Sequence, residues 1–147
     1  IPDSTTNGFD GRMHVAFVSK EAHYSVVMSG NVLGIGHNNV IKVACDEDGR
    51  MSPAALLHAI QKARAEGKIP FCIVTTAATT VRGAFDPFDA VSDIAEQEHI
   101  WHHVDGAWGG PALFSSSHKA LLKGVERADS MSIGKYILLS SLWTPDT

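Results

Sequence analysis

The chain has 147 residues, a formal net charge of −4 and 44% hydrophobic residues, a composition typical of a soluble folded domain with its own core. Its basic residues form no cluster that predicts contact with nucleic acid or a membrane surface. No apolar run has the length of a membrane span, and the first residues lack the pattern of a secretory signal. The two cysteines lie in apolar runs, which favours free thiols and a cytoplasmic location.

The first half of the chain alternates short apolar runs with helical patterns. Residues 13–19 predict a buried strand, residues 22–34 a helix and residues 40–45 a second strand. Residues 46–49, with the sequence DEDG, predict a turn. This alternation is the first indication of a layered α/β fold.

The helix that follows Ser52 has the clearest local signals. Ser52 suits the N-cap and Pro53 suits the first helical position. Apolar residues then recur at i, i+4 and i+7, namely Leu56, Ile60 and Ala63. This stripe predicts a helix that packs one face against the core.

The second half repeats the alternation. Residues 71–76 predict a strand whose continuous apolar character is typical of parallel sheets covered on both faces. A helix is then predicted in which Asp86 caps and Pro87 opens, with an apolar face formed by Phe88, Val91, Ile94 and Ala95. Further predicted elements are a strand at 100–104, a helix at 120–125 and strands at 130–133 and 136–143. The predicted fold class is therefore α/β, with a mostly parallel sheet and helices on both faces.

Three predicted loops carry the chemically notable residues, and each follows a strand. His23 lies between the first strand and the first helix, residues 75–87 form a loop rich in hydroxyls and small residues, and Asp105 follows the strand at 100–104. Ligands of parallel α/β sheets collect beyond the carboxyl ends of the strands, so these loops are expected to converge there. The small residues from Gly106 to Gly110 are expected to let a flat ligand approach the backbone.

The sequence resembles the pyridoxal-phosphate-dependent group II amino-acid decarboxylases. The resemblance is carried by EAHYS, LGIG, IPFCIVTTAATTVRGAFDPFDAV, IWHHVDGAWGGPALFS and LLKGVERADS, which occur in the family order. It implies that residues 1–147 are a central part of the large cofactor-binding domain of a fold-type-I enzyme. The upstream phosphate loop and the C-terminal small domain of the family have no counterpart in this sequence.

The resemblance also implies roles for individual residues. The family aspartate at the position of Asp105 pairs with the pyridine nitrogen of pyridoxal 5′-phosphate, and a carboxylate there keeps that nitrogen protonated. His23 is expected to stack on one face of the ring and to align the substrate, and Ala107 to pack on the other face. Thr80 is expected near the ring hydroxyl. The family usually has glycine where this chain has Ala78.

The cofactor lysine is the weakest part of the match. The family pattern ADS-x-x-W-D-P-H-K reads ADSMSIGKYILL here, so the histidine is missing and Lys135 stands two residues before the family register at Ile137. Either two residues are deleted and Lys135 is the catalytic lysine, or Lys135 is a loop lysine. Lys119 and Lys123 precede the ADS segment and fit less well.

The resemblance implies decarboxylation of an amino acid by a homodimeric parent enzyme, and Trp108 favours an acidic substrate such as glutamate, aspartate or cysteine sulfinate. Because the phosphate loop is missing, the chain alone is expected to bind the cofactor poorly and not to turn over. Arg82 is either an exposed structural arginine or a residue that contacts a substrate carboxylate. Two alternatives remain: a truncated, non-catalytic relative that acts as a binding module, and a metal-dependent hydrolase that uses His103 and Asp105 on one strand face. No metal-binding motif supports the latter.

Overall fold

The computed structural model describes Phe9 and residues 11–134. In this part of the chain one five-stranded sheet has the order β2-β1-β3-β4-β5, and every neighbouring pair of strands is parallel. The strands are β1 (His14–Ser19), β2 (Val40–Val43), β3 (Ile69–Thr76), β4 (Trp101–Gly106) and β5 (Ser130–Ile133). The parallel pairing confirms the predicted fold class.

Helices cover both faces of the sheet. They are α1 (Ser25–Val32), α2 (Pro53–Ala65) and α3 (Phe88–Glu98). Helices α2 and α3 pack on the face that carries Val15, Phe17 and Ile73. Helix α1 packs on the other face, against a cluster around Val18 and Val74. Neighbouring strand residues point to opposite faces, so the continuous apolar runs of β1 and β3 supply both cores.

Helix α2 confirms the local reading of its sequence. The Ser52 hydroxyl accepts the backbone N–H of Ala55 at 3.3 Å, and Pro53 occupies the first turn. Leu56, Ile60 and Ala63 are at most 2% exposed. Full burial of a leucine or isoleucine side chain contributes about 1.5–3 kcal/mol, so this stripe fixes α2 to the sheet.

The predicted capping role of Asp86 is wrong. Helix α3 begins at Phe88 after Pro87, and no side chain caps it. The Asp86 carboxylate instead accepts the backbone N–H groups of Met51 at 2.6 Å and Thr76 at 2.7 Å. Buried backbone donors need acceptors, and the Asp86 carboxylate supplies one to each of these two N–H groups. Burial raises the pKa of Asp86 to about 6, although both hydrogen bonds lower it.

Other predicted boundaries also need correction. Residues 120–125 do not form an α-helix. Two short 3₁₀ turns, Lys119–Leu122 and Val125–Arg127, are separated by Lys123 and by Gly124, which has φ 91°. Helix α1 begins at Ser25 rather than near residue 22, and β2 ends at Val43. The strand predicted at 136–143 lies outside the described residues.

Both cysteines are free, as the sequence predicts, and both are half-buried. Burial, with a smaller effect of the Asp129 charge, raises the pKa of the Cys72 thiol to about 11. Within the described residues, no helix has both the length and the apolar character needed to cross a membrane.

Candidate active site

The carboxyl ends of β1, β3 and β4 border a cavity of about 250 Å³. The strand order reverses between β1 and β3, because β2 lies on one side of β1 and the later strands lie on the other. Such a switch point leaves a crevice beyond the strand ends. The cavity is lined by His23, Ser25, Thr76, Ala78, Thr80, Asp105, Ala107 and Trp108. The predicted convergence of the three loops is therefore confirmed.

Asp105 supplies the negative charge of the cavity. It lies within β4 rather than after the strand, paired in register with Thr76 of β3 and Ser132 of β5. Its Oδ1 atom accepts the Ala107 backbone N–H at 3.1 Å and the Ser132 hydroxyl at 3.2 Å. No described residue donates a hydrogen bond to Oδ2. The half-buried carboxylate therefore has one satisfied oxygen and one oxygen that can accept a donor from a ligand.

His23 is held by the start of helix α1. Its Nδ1 atom accepts the backbone N–H of Ser25 at 3.3 Å and lies 2.8 Å from the Ser25 hydroxyl. The Tyr24 ring packs on it with a centroid separation of 4.3 Å. Because Nδ1 accepts a backbone donor, the neutral imidazole carries its proton on Nε2. The ring is thus oriented before any ligand binds.

The loop after β3 contributes small and hydroxyl side chains. Ala78 is buried and adopts φ 64°, a left-handed conformation that side chains other than glycine rarely adopt. Thr76 is 4% exposed, and its Oγ1 atom has no hydrogen-bond partner in the described part of the chain. Thr80 is exposed at the rim. The end of β3 and the loop after it thus bring a strained backbone position and two threonines to the cavity.

The glycines beside Asp105 serve packing between elements rather than the approach of a ligand, which corrects the expectation from sequence. A Cβ atom on Gly109 would lie 2.5 Å from the carbonyl oxygen of Ala77. A Cβ atom on Gly106 would lie 2.7 Å from the carbonyl oxygen of Ser132. Neither glycine lines the cavity. They let the chain after β4 lie directly against β5 and the loop after β3.

The basic candidates lie elsewhere. Lys135 is outside the described residues, and no lysine or arginine of the described part lines the cavity. Lys119 and Lys123 are exposed, and Lys123 pairs with Asp89 at 3.6 Å. Arg82 donates to the carbonyl of Glu47 at 2.6 Å and lines a separate cleft of about 650 Å³. This position agrees with an exposed structural arginine, and a contact of Arg82 with a substrate carboxylate stays a hypothesis.

The described residues also contain no candidate metal site, because no group of three or more of their His, Cys, Asp and Glu side chains could hold a metal ion. His103 shares the face of Asp105, as strand parity predicts, but its Nδ1 atom lies 2.8 Å from the Ser130 hydroxyl. His102 points to the opposite face.

Two features of the site were missed by sequence reasoning. Ser132 belongs to a predicted strand, but only the register of β4 with β5 places its hydroxyl on Asp105. Ser25 belongs to the EAHYS motif, but its contact with His23 depends on where α1 begins, which the motif does not show. Parity would have placed Ser132 on a sheet face, but not beside a particular partner.

The chemistry of the cavity fits a flat, cationic aromatic ring. An open carboxylate oxygen can accept a ring N–H⁺, an oriented imidazole can contact a ring, and the methyl groups of Ala78 and Ala107 leave room for one. Among the described residues, no cation lines the cavity to bind a phosphate group, so these residues account for the ring end of such a ligand only. In the described residues, a parallel α/β sheet with these groups at its switch point has the features expected of a domain that binds a cofactor of the pyridoxal type.

The comparison with protein families agrees with this class. Residues 6–140 match the pyridoxal-dependent decarboxylase conserved domain, and the chain belongs to that family. Pyridoxal phosphate is therefore the cofactor of the family. The chain is 44% identical over 141 residues to cysteine sulfinic acid decarboxylase of Mus musculus, covering 95% of this chain and 29% of that protein. It is 44% identical over 139 residues to the acidic amino acid decarboxylase GADL1 of Bos taurus, covering 94% of this chain and 27% of the relative.

Solved structures give the same result. A crystal structure of mouse CSAD superposes with a TM-score of 0.92 at 43% identity, over 95% of this chain and 30% of that one. A structure of Oryza sativa TDC with PLP and tryptamine superposes with a TM-score of 0.82 at 29% identity, over 92% of this chain and 29% of that one. The chain thus spans less than a third of the length of these relatives, and its fold is that of the matching part.

Proposed function

We propose that this chain is part of a pyridoxal-phosphate-dependent decarboxylase that acts on an acidic amino acid. The observation that carries the proposal is the Asp105 carboxylate, whose Oδ2 atom has no donor among the described residues and which lines one cavity with His23 and Ala107. Membership of the pyridoxal-dependent decarboxylase family gives that arrangement its chemical meaning.

Asp105 holds a proton on the ring nitrogen of the cofactor. Its negative charge favours the protonated ring nitrogen, and a half-buried site strengthens the interaction relative to bulk water. When bound, pyridoxal phosphate supplies an electron-withdrawing ring that stabilises the carbanion left as carbon dioxide departs. The residue's task is to keep that ring cationic throughout.

His23 and Ala107 position the ring. The imidazole is fixed through Nδ1 by Ser25, so its plane and its Nε2 proton are available to the cofactor and the substrate. Ala107 offers only a methyl group, which lets a ring pack against the end of β4. Thr80 lines the cavity at its rim, and we propose that it lies near the ring hydroxyl.

An acidic substrate is supported by the relatives. The proteins that are 43–44% identical to this chain are named for cysteine sulfinic acid and acidic amino acids, whereas the rice TDC structure is only 29% identical. Trp108 borders the cavity, where it can contact the substrate. We assign the whole protein to the acidic branch.

Lys135 is the proposed lysine for the cofactor, and the phosphate group is proposed to bind residues outside this sequence. The parent protein is proposed to be a cytoplasmic homodimer that binds neither nucleic acid nor membranes. The competing proposal, a non-catalytic binding module, is favoured by the altered lysine motif and by the lack of a lysine among the described cavity residues.

Cofactor trapping separates the two proposals. Because the chain alone is expected to bind the cofactor poorly, the purified chain is mixed with a large excess of pyridoxal phosphate and its visible absorption is recorded. Borohydride then fixes the cofactor to the lysine that holds it. If the chain is part of a decarboxylase and its site works, we expect a visible absorption band and borohydride labelling of Lys135. Asp105→Asn should reduce that label but not the background label on the exposed Lys123, which is the internal control. A folded chain with no band and no label on Lys135 would favour the binding module.

A further inference from the structure

We infer that Ser132 is a positioning residue for Asp105: it fixes the plane of the carboxylate so that Oδ2 faces the cofactor's ring nitrogen. This inference rests on the proposed function and adds a residue on β5 to the site. Ser132 itself does not line the cavity, so it acts only through Asp105.

The hydrogen bonds of the carboxylate are unevenly distributed. Both donors, the Ala107 N–H at 3.1 Å and the Ser132 hydroxyl at 3.2 Å, bind Oδ1. One donor alone leaves a carboxylate free to turn about its Cβ–Cγ bond over a broad range, because this torsion has no sharp wells. Two donors from different elements on one oxygen restrict that rotation and leave the second oxygen with a defined direction.

The donor itself is rigidly placed. Ser132 pairs in register with Asp105, between partners at His103–Ser130 and Gly106–Ile133. Close packing of Gly106 against the Ser132 carbonyl and Met131 prevents β5 from moving toward β4. Ser132 is half-buried, so water competes less for its hydroxyl than at an exposed position. Such preorganisation strengthens ligand binding, because the direction of the Asp105 Oδ2 atom does not have to be set when the ligand binds.

The test uses two ligands without an aldehyde, so that Lys135 and surface lysines play no part. One is 4′-deoxypyridoxine phosphate, and the other is its analogue with a CH group in place of the ring nitrogen. Dissociation constants for both are measured by NMR titration of the backbone amides of the whole chain. The quantity of interest is the ratio of the two constants, because a general loss of folding or cavity shape affects both ligands alike.

The wild-type chain should prefer the nitrogen-containing ligand by about 10-fold or more, since hydrogen bonds to charged groups are worth about 1.5–3 kcal/mol. Ser132→Ala should reduce that preference about 3- to 10-fold, and Ser132→Thr, which keeps the hydroxyl, should restore most of it. An unchanged preference in Ser132→Ala would overturn the inference and leave the proposed function intact. A wild-type chain without any preference would overturn the proposed role of Asp105, and the inference with it.

Discussion

The two faces of strand β4 differ in what their polar side chains are free to do. On the face toward α3, His102 is 1% exposed and lies between the hydroxyls of Thr75 at 2.9 Å and Ser92 at 3.1 Å. On the other face, His103 and Asp105 are half-buried, and Asp105 keeps one oxygen without a donor from any described residue. Saturated polar groups stabilise a fold, whereas a polar group with spare bonding capacity beside a cavity is available to a ligand.

This difference also separates two kinds of histidine that the sequence sets side by side. Burial lowers the pKa of His102 to about 4, although the nearby Asp129 charge raises it. A neutral ring with both nitrogens engaged belongs to the core. The functional histidine of the proposal, His23, comes from a loop after another strand and has Nε2 free of any hydrogen bond within the described residues.

Removing the buried histidine should have the largest effect. His102→Ala leaves a cavity and strips two buried hydroxyls of their partner, which should lower the free energy of unfolding by about 2–5 kcal/mol. His103→Ala, on the open face, is the matched control and should cost less than about 1 kcal/mol. Urea denaturation of both variants measures the contrast, and equal losses would contradict the distinction between the two faces.

The free energy of unfolding should depend on pH through the titration of His102. Because the folded pKa of His102 lies below its unfolded value near 6.5, its contribution is complete above pH 6.5 and is lost as the pH falls through about 4. The loss should reach about 3 kcal/mol at most. Titration by ¹⁵N NMR should find the His102 ring neutral at pH 5. A ring that is half protonated near pH 6.5 would disprove this account.

Asp105→Asn should weaken ligand binding at the cavity without affecting the fold. The amide cannot neutralise a ring N–H⁺, so the chain should bind 4′-deoxypyridoxine phosphate about 10- to 100-fold more weakly. Its free energy of unfolding should stay within about 0.5 kcal/mol of wild type. Asp48→Asn, at an exposed aspartate paired with Arg50, serves as control and should change neither quantity. Unaltered ligand affinity in Asp105→Asn would argue against a cofactor at this carboxylate.

The smallest expected effect concerns stability and compares two neighbouring alanines, Ala78 and Ala77, in the loop after β3. Ala78 has φ 64°, where an alanine is strained, so Ala78→Gly should raise the free energy of unfolding by about 0.5–1 kcal/mol. Ala77, its buried neighbour, does not have a positive φ. Ala77→Gly should therefore lower stability by a similar amount. Thermal unfolding of the two variants in parallel checks the opposite signs.

The sequence predicts the elements best where local chemistry decides them. Helix α2 was predicted correctly from Ser52, Pro53 and the apolar stripe from Leu56 to Ala63, because capping and periodicity act within one helix. The capping role of Asp86 was wrong because its carboxylate is taken by N–H groups of residues 51 and 76, which no local pattern reveals. The helix predicted at 120–125 was wrong because the chain adopts a left-handed backbone at Gly124, which glycine permits and an α-helix does not.

By itself, the sequence determined the alternation of strands and helices, the convergence of three loops at one sheet edge and the family to which the chain is similar. These follow from hydrophobic periodicity and from short motifs, which are properties of neighbouring residues. Only the tertiary structure decided that Asp105 has one open oxygen, that Ser132 holds the other and that the adjacent glycines serve packing. The physical reason is that strand register joins residues far apart in the chain, and a side chain's free hydrogen-bonding capacity is known only once all its neighbours are in place.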